Sequence, residues 1–100
     1  MQLKQMRKKA PQVTELMKVL SNQHRLMILC QLVEEEKSVG ELARLLGLRQ
    51  AAISQQLALL RKDRIVTTRR EAQTVYYDLA REDVRQLMGF LYETYCGVPA

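Results

Sequence analysis

Hydrophobic residues recur at helical spacing through most of the chain and alternate only in one stretch past its middle. In residues 11–20 the apolar side chains lie three and four positions apart, whereas residues 23–33 are apolar on nearly every side. The first pattern is typical of an amphipathic helix, and the second of a helix at the centre of a domain. We predict that Pro11 lies in the opening turn of the first helix and that Ser21 and Asn22 separate the two helices. Residues 1–10 are predicted to be a basic N-terminal arm or a short helix.

The next segment predicts two further helices joined by a short turn. Ser38 and Glu41 have the S-x-x-E spacing of a capping box, which marks the start of a third helix. Gly47 is suited to end this helix, because glycine readily adopts the left-handed conformation common at helix C-termini. A fourth helix is predicted from Arg49 to Asp63. Its buried face is formed by apolar residues at positions i, i+4 and i+7, namely Ile53, Leu57 and Leu60.

After the fourth helix the pattern changes from helical spacing to alternation, with Val75, Tyr77 and Leu79 pointing one way and Thr74, Tyr76 and Asp78 the other. Residues 65–79 therefore predict a hairpin with its turn near Ala72, and residues 82–96 predict a last helix. Two helices at 38–63 followed by a hairpin are the layout of a winged helix-turn-helix, a DNA-reading module. The expected fold is mainly α, with five main helices and a two-stranded wing. The length of 100 residues predicts a single domain, 1–100.

Positive charge is concentrated on this module. The chain has a net charge of +5, and the stretch 49–70 accounts for all of it, with six basic residues against the single acid Asp63. Basic charge gathered on one module is typical of nucleic-acid binding. An ordinary solvated basic face would have the same composition. We expect double-stranded DNA to be the partner.

The fourth helix carries small or hydrogen-bonding side chains opposite its buried face, as a helix in the major groove must. Gln55 can pair with an adenine edge, Ser54 with either type of base, and Ala51 can contact a thymine methyl group. Gln50 lies at the end that usually enters the groove first. The alternative is an ordinary solvated helix face. The other predicted DNA contacts are Arg49, Lys62 and Arg64 for phosphate, and Arg69, Arg70 and Gln73 at the hairpin tip.

Other classes of function have little support in the sequence. No Ser/His/Asp constellation and no Gly-rich phosphate loop is present, so we expect neither an enzyme nor a cofactor. His24 is the only histidine and the two cysteines are distant in sequence, which makes a metal site a weak hypothesis. No apolar run approaches the ~20 residues of a membrane span, and no secretory pattern is seen. We expect a cytoplasmic protein without a membrane partner, in which Cys30 and Cys96 form no constitutive disulfide.

Four segments together resemble the ArsR/SmtB family of bacterial repressors. They are residues 20–29 (LSNQHRLMIL), 39–42 (VGEL), 52–57 (AISQQL) and 76–79 (YYDL). The resemblance covers about residues 11–96. It implies a homodimer that binds an inverted-repeat operator over a promoter and releases it when an inducer arrives. It also implies a dimer interface on the first and last helices, for which we expect the contacts Leu16, Leu20, Leu87, Leu91 and Tyr95.

The family's metal-sensing motifs are mostly missing, and a narrower branch fits better. Residues 39–42 lack the Cys-x-Cys box of the arsenic and cadmium sensors, and the last helix has no His. Cys30 and Cys96 resemble instead the dithiol of the persulfide- and redox-responsive repressors, which include biofilm growth-associated, sulfide-responsive and HlyU-like members. This resemblance implies a repressor that binds DNA when reduced. Reactive sulfur species or oxidants would link Cys30 to Cys96 and release it.

Three alternatives stay open at this point. The cysteines can be inert buried residues. The protein can be a metal-responsive repressor that uses them with a third ligand. It can also be a constitutive anti-silencing DNA binder without an inducer.

Two residues depart from the family's pattern. Gln56 stands where His is frequent, which is expected to affect operator preference. Arg64 stands in a turn where Gly is frequent, so it either adopts a positive φ or reshapes the turn.

Overall fold

The computed structural model describes residues 2–97, and within them the chain forms five helices and three strands. The helices are α1 (Leu3–Leu20), α2 (Gln23–Glu34), α3 (Val39–Leu46), α4 (Gln50–Lys62) and α5 (Glu82–Cys96). The strands are β1 (Lys37–Ser38), β2 (Val66–Glu71) and β3 (Thr74–Leu79). The predicted mainly α winged helix-turn-helix fold with five main helices is confirmed. None of the helices in residues 2–97 combines the length and the apolar character that crossing a bilayer requires.

Helix α1 is longer than the sequence predicts. It begins at Leu3, so residues 3–10 belong to it and are not a separate arm, and Pro11 lies inside the helix and not in its first turn. Proline removes one backbone hydrogen bond from a helix. Here the loss is tolerated because this part of α1 is exposed and water can hydrate the freed carbonyl of Arg7. Apolar residues continue at helical spacing on both sides of the proline, at Leu3, Met6, Ala10, Val13 and Met17.

The wing is a three-stranded antiparallel sheet in the order β1-β3-β2, and not the two-stranded hairpin that the sequence predicts. In β1, Lys37 lies opposite Tyr77 and Ser38 opposite Tyr76. A strand of two residues is too short to show alternation, which is why the pattern did not reveal it. Strands β2 and β3 pair from Val66–Leu79 to Glu71–Thr74, so Ala72 and Gln73 form the turn where it was predicted.

Helix α2 lies at the centre of the domain. Ile28, Leu29 and Leu32 are fully buried, and α2 contacts α1, α3, α4, α5 and β3. Its start is capped by Asn22, whose side chain accepts a hydrogen bond from the Arg25 N–H at 3.0 Å. This helix therefore connects the predicted dimerisation helices with the helix-turn-helix.

Local interactions fix both ends of α3. The Ser38 hydroxyl accepts from the Glu41 N–H at 3.2 Å, and the Glu41 carboxylate accepts from the Ser38 N–H at 3.0 Å, which is the predicted capping box. Hydrogen bonding to the Ser38 N–H also lowers the pKa of Glu41. Gly47 ends α3 with a φ of 66°, as predicted. These two ends determine where α4 begins and how it lies against α3.

Candidate nucleic-acid interface and cysteine pair

Helix α4 buries one face and exposes the other as its sequence predicts. Ile53, Leu57 and Leu60 are fully buried, while the side chains expected to read bases lie outside. The exposed residues of that face are Ala51, Ser54, Gln55 and Ala58. With no bulky side chain among these four, this face can approach the floor of a DNA groove.

The two ends of α4 carry exposed groups suited to phosphate and base edges. Arg49 is the N-cap residue and makes no capping hydrogen bond through its side chain. The side-chain amide of Gln50 lies beside Gly40, since its Nε2 atom would be 3.7 Å from a Cβ atom at that position. At the other end Lys62 is exposed in the last turn. Arg49 and Lys62 are therefore exposed at opposite ends of the helix.

The sequence left open whether Arg64 adopts a positive φ or reshapes the turn after α4. It adopts a positive φ of 59°, and its N–H donates to the Arg61 carbonyl at 3.0 Å. The turn thus keeps the left-handed geometry that usually favours glycine. The Arg64 side chain is exposed beside the end of α4.

The wing arginines lie in different environments. Arg70 is opposite Val75 and Gln73 is in the turn, so both are near the tip and exposed. Arg69 is one residue further from the turn than Arg70: it lies opposite Tyr76, with its guanidinium carbon 4.8 Å from the centre of the Tyr76 ring. Successive side chains of a strand point to opposite faces of the sheet, so Arg69 and Arg70 lie on different faces. On its face Arg69 reaches Glu36, in the loop before β1.

Arg69 is also held by two carboxylates. Its Nε atom donates to both carboxylate oxygens of Glu36 at 3.2 Å, and its Nη1 atom lies 3.4 Å from Glu71 Oε2. Hydrogen bonding from Arg69 lowers the pKa of Glu36, and Glu36 in turn raises the pKa of Arg69. In this conformation the positive charge of Arg69 is compensated within the protein.

Gln56 lies beside the exposed face and turns inward. It is half-buried, and its Oε1 atom accepts a hydrogen bond from Arg25 Nη1 at 3.1 Å. Arg25 also donates from Nε to the Val19 carbonyl at 2.6 Å. Sequence reasoning missed the role of Arg25 because its acceptor Gln56 lies 31 positions away in the sequence. Its position just after the end of α1, where a cation complements the helix dipole, was the available signal.

The two cysteines occupy different surroundings on adjacent helices. Cys30 is half-buried on α2 and packs against the core, whereas Cys96 is exposed at the end of α5. Helices α2 and α5 are in contact. Burial raises the pKa of the Cys30 thiol, and the charge of Cys96 raises it further. The two thiols thus lie on helices that pack against each other.

Metal-binding geometry is not found in the described part of the chain. No group of three or more His, Cys, Asp or Glu side chains in residues 2–97 is arranged to hold a metal ion.

The residues predicted for the dimer interface divide into three kinds. Leu16 is buried within the protomer's own core, which leaves it little surface for a partner. Three more are partly buried against that core, namely Leu20, Leu87 and Leu91. Tyr95 is 81% exposed. Exposed apolar residues that the prediction did not include are Leu3, Met6, Val13 and Met17 on α1, and Phe90 and Tyr92 on α5.

Comparison with known proteins identifies the family of this chain. The family described as "Bacterial regulatory protein, arsR family" matches residues 22–68. The chain is 46% identical over 96 residues to the transcriptional activator HlyU of Vibrio cholerae, covering 96% of this chain and 89% of that protein. It is 44% identical to the transcriptional repressor BigR from Xylella fastidiosa, whose crystal structure matches with a TM-score of 0.90, covering 96% of this chain and 98% of that one.

A more distant solved structure shows the same architecture. It is the homodimeric winged helix-turn-helix DNA-binding domain of a possible ArsR-family regulator from Mycobacterium bovis. That domain is 31% identical to this chain, with a TM-score of 0.76, and the match covers 93% of this chain and 86% of that one. The relatives from Vibrio cholerae and Xylella fastidiosa are transcriptional regulators and not enzymes, in agreement with the prediction from sequence. The chain belongs to the arsR family of bacterial regulatory proteins and is a transcriptional regulator.

Proposed function

We propose that this protein is a homodimeric, cytoplasmic repressor that binds an inverted-repeat operator in double-stranded DNA. In this proposal α4 reads the bases, the wing contacts the backbone, and linkage of Cys30 to Cys96 by reactive sulfur species or oxidants releases the DNA. The observation that carries the proposal is that Cys30 on α2 and the exposed Cys96 on α5 lie on helices that pack together, and that α2 also packs against α4.

The exposed surface of the helix-turn-helix and wing supports DNA binding. All ten side chains predicted to contact DNA are exposed, and Arg49 and Lys62 lie at the two ends of α4. Phosphate contacts position a protein on DNA, while base contacts select the sequence. The ten residues are Arg49, Gln50, Ala51, Ser54, Gln55, Lys62, Arg64, Arg69, Arg70 and Gln73.

Uncovered apolar surface on α1 and α5 supports a homodimer. Four exposed apolar residues run along α1, and Phe90 and Tyr95 are 61% and 81% exposed on α5. Several large apolar side chains left exposed on the same helices mark an interaction site. A second copy of the chain is the favoured partner because the relative from Mycobacterium bovis is homodimeric. Two recognition helices would then meet half-sites about 34–36 Å apart.

DNA reading can be tested by selecting bound sequences from random double-stranded DNA. We expect an inverted repeat. On the selected operator, Gln55→Ala should weaken binding roughly 5- to 150-fold, because one bidentate base contact is lost. The matched control is Gln12→Ala on the exposed face of α1, which should bind normally. Recovery of no preferred sequence, or equal affinity of the Gln55→Ala variant, would refute base reading by α4.

The proposed switch begins at the exposed thiol. The Cys96 thiolate attacks the outer sulfur of an organic persulfide, which forms a Cys96 persulfide and expels the organic thiolate. The Cys30 thiolate then attacks the inner sulfur on Cys96, forming the Cys30–Cys96 disulfide and releasing hydrosulfide. If Cys30 is itself persulfidated first, its outer sulfur is the attacking atom, and the bridge retains one additional sulfur.

Mass spectrometry of the treated protein tests this chemistry. After treatment with an organic persulfide, we expect a peptide pair joined through Cys30 and Cys96. Cys30→Ser should stop the reaction at a Cys96 persulfide, since no resolving thiol remains. Two unmodified thiols in the treated wild-type protein would exclude the proposed switch.

A second candidate function is a constitutive DNA binder that opposes silencing. It is favoured by one observation, that the relative from Vibrio cholerae is a transcriptional activator. It predicts that Cys30→Ser and Cys96→Ser leave both DNA binding and its response to oxidants unchanged. Loss of the oxidant response in either variant would decide for the dithiol switch.

A further inference from the structure

Arg25, at the start of α2, joins the end of α1 to the middle of α4. Its Nε atom donates to the Val19 carbonyl at 2.6 Å and its Nη2 atom to the Lys18 carbonyl at 3.5 Å. Its Nη1 atom donates to Gln56 Oε1 at 3.1 Å. One guanidinium group thus reaches three acceptors on two helices.

The chemistry at this junction requires arginine. The Lys18 carbonyl already accepts from the Ser21 N–H at 3.2 Å, so Arg25 provides the Val19 carbonyl with its donor, and a cation at this end also complements the helix dipole. The planar guanidinium fixes the directions of its donors, so binding Lys18 and Val19 also fixes where Gln56 must lie. A lysine would keep the charge and lose this fixed fork.

The contact with Gln56 differs from the other contacts of α4. The buried face of the helix packs through Ile53, Leu57 and Leu60, and apolar packing has little directional preference. In the described part of the chain, the Arg25–Gln56 bond is the side-chain hydrogen bond that joins α4 to another helix. It is therefore suited to fix the rotation of α4 about its own axis.

We propose that Arg25 is a positioning residue for DNA recognition, which acts through Gln56 to set the orientation of α4 relative to α1. This rests on the proposed function, in which α1 contacts the second copy and α4 enters the groove. Since α1 would anchor each protomer to its partner, the orientation of α4 against α1 becomes the orientation of one recognition helix against the other. The expected role is to select the spacing between the two half-sites.

Operators with altered spacing test this role. We would measure affinity by fluorescence anisotropy for the selected inverted repeat, for versions with one base pair inserted or removed at its centre, and for a single half-site. Wild-type protein should clearly prefer one spacing. Gln56→Met should lose roughly 5- to 20-fold in affinity at that spacing and bind the altered operators about as well as the original one. Its affinity for the single half-site should stay within about 2-fold of wild type, because no base contact is removed.

Two further variants separate positioning from general damage. Gln23→Met makes the same change at an exposed position near Arg25 and should behave as wild type, and unfolding midpoints should confirm that all variants fold. Arg25→Lys should reproduce the Gln56→Met effect. Combining Arg25→Lys with Gln56→Met should add little to the loss of spacing preference, because both changes break the Arg25–Gln56 bond.

The outcomes are distinguishable from failure of the proposed function. If wild-type protein binds no operator, DNA reading by α4 is wrong and this inference is overturned with it. If wild type shows a spacing preference and Gln56→Met retains it, only the positioning role is overturned. Equal loss of affinity for the half-site and the full operator would assign Gln56 to direct DNA contact instead.

Discussion

Cys30 and Cys96 carry the proposed signal, and their surroundings assign them different roles. Cys96 is exposed, whereas Cys30 is half-buried and its pKa is raised by burial. A thiol reacts as its thiolate, so a raised pKa lowers the fraction of Cys30 that is thiolate at neutral pH. This asymmetry favours Cys96 as the first nucleophile and Cys30 as the resolving thiol.

Alkylation rates test that order. At pH 7.5 we expect iodoacetamide to label Cys96 about 10-fold faster than Cys30, as followed by mass spectrometry. Labelling of Cys30 should accelerate as the pH rises, and should continue to do so above pH 9.0, the ordinary thiol pKa, because its own pKa is higher. In urea-unfolded protein the two rates should converge. Faster labelling of Cys30 in the folded protein would reverse the proposed sequence of attack.

Ala72 is a second residue whose surroundings make a prediction. It adopts a φ of 54° in the wing turn, a conformation that costs an alanine about 1 kcal/mol or more relative to glycine. Ala72→Gly should therefore raise the free energy of unfolding by about 0.5–1 kcal/mol in a urea titration. Ala58→Gly, on the exposed face of α4, should lower it by a similar amount. Destabilisation by Ala72→Gly would contradict the turn geometry.

At the scale of elements, the sequence predicts what local spacing determines. The apolar period locates α2, α4 and α5, and the Ser38–Glu41 capping box locates the start of α3. Strand β1 was not predictable because its two residues acquire strand geometry only by pairing with β3.

The candidate site also contains some features that local spacing predicts and others that it does not. The exposed face of α4 follows from its helical period, so its reading residues could be chosen from sequence. The partners of Arg69 and Gln56 could not, because Glu36 and Arg25 lie about 30 positions away and meet them only in the folded chain. Long-range polar contacts of this kind leave no local pattern in the sequence.

The ion pair between Glu36 and the wing leads to a prediction about DNA affinity. Glu36→Gln removes the closer of the two carboxylates that hold Arg69 and should let its charge meet phosphate, which raises operator affinity and steepens its dependence on log salt by up to about 0.9 for one additional phosphate contact. Fluorescence anisotropy at several salt concentrations measures both. Glu35→Gln is the matched control, because it removes the same charge next to Glu36 and keeps the Arg69 ion pair. Identical salt slopes in the two variants would show that Arg69 gains no phosphate contact.

At the scale of the whole molecule, the proposed signal and the proposed output occupy different elements of one small domain. The cysteines lie on α2 and α5, the reading face on α4, and α2 contacts both of the other helices. A covalent link between α2 and α5 therefore has a short packed path to α4. Coupling of 1–3 kcal/mol along such a path corresponds to a change of about 5- to 150-fold in affinity.

Operator affinity before and after treatment with an organic persulfide tests the central claim most directly. Reduced wild-type protein should bind the selected operator tightly, and protein whose Cys30–Cys96 link has been verified by mass spectrometry should bind it about 5- to 150-fold more weakly. Cys96→Ser should bind as the reduced wild type does, with or without treatment. Equal affinity of the reduced and the verified linked protein would contradict the account.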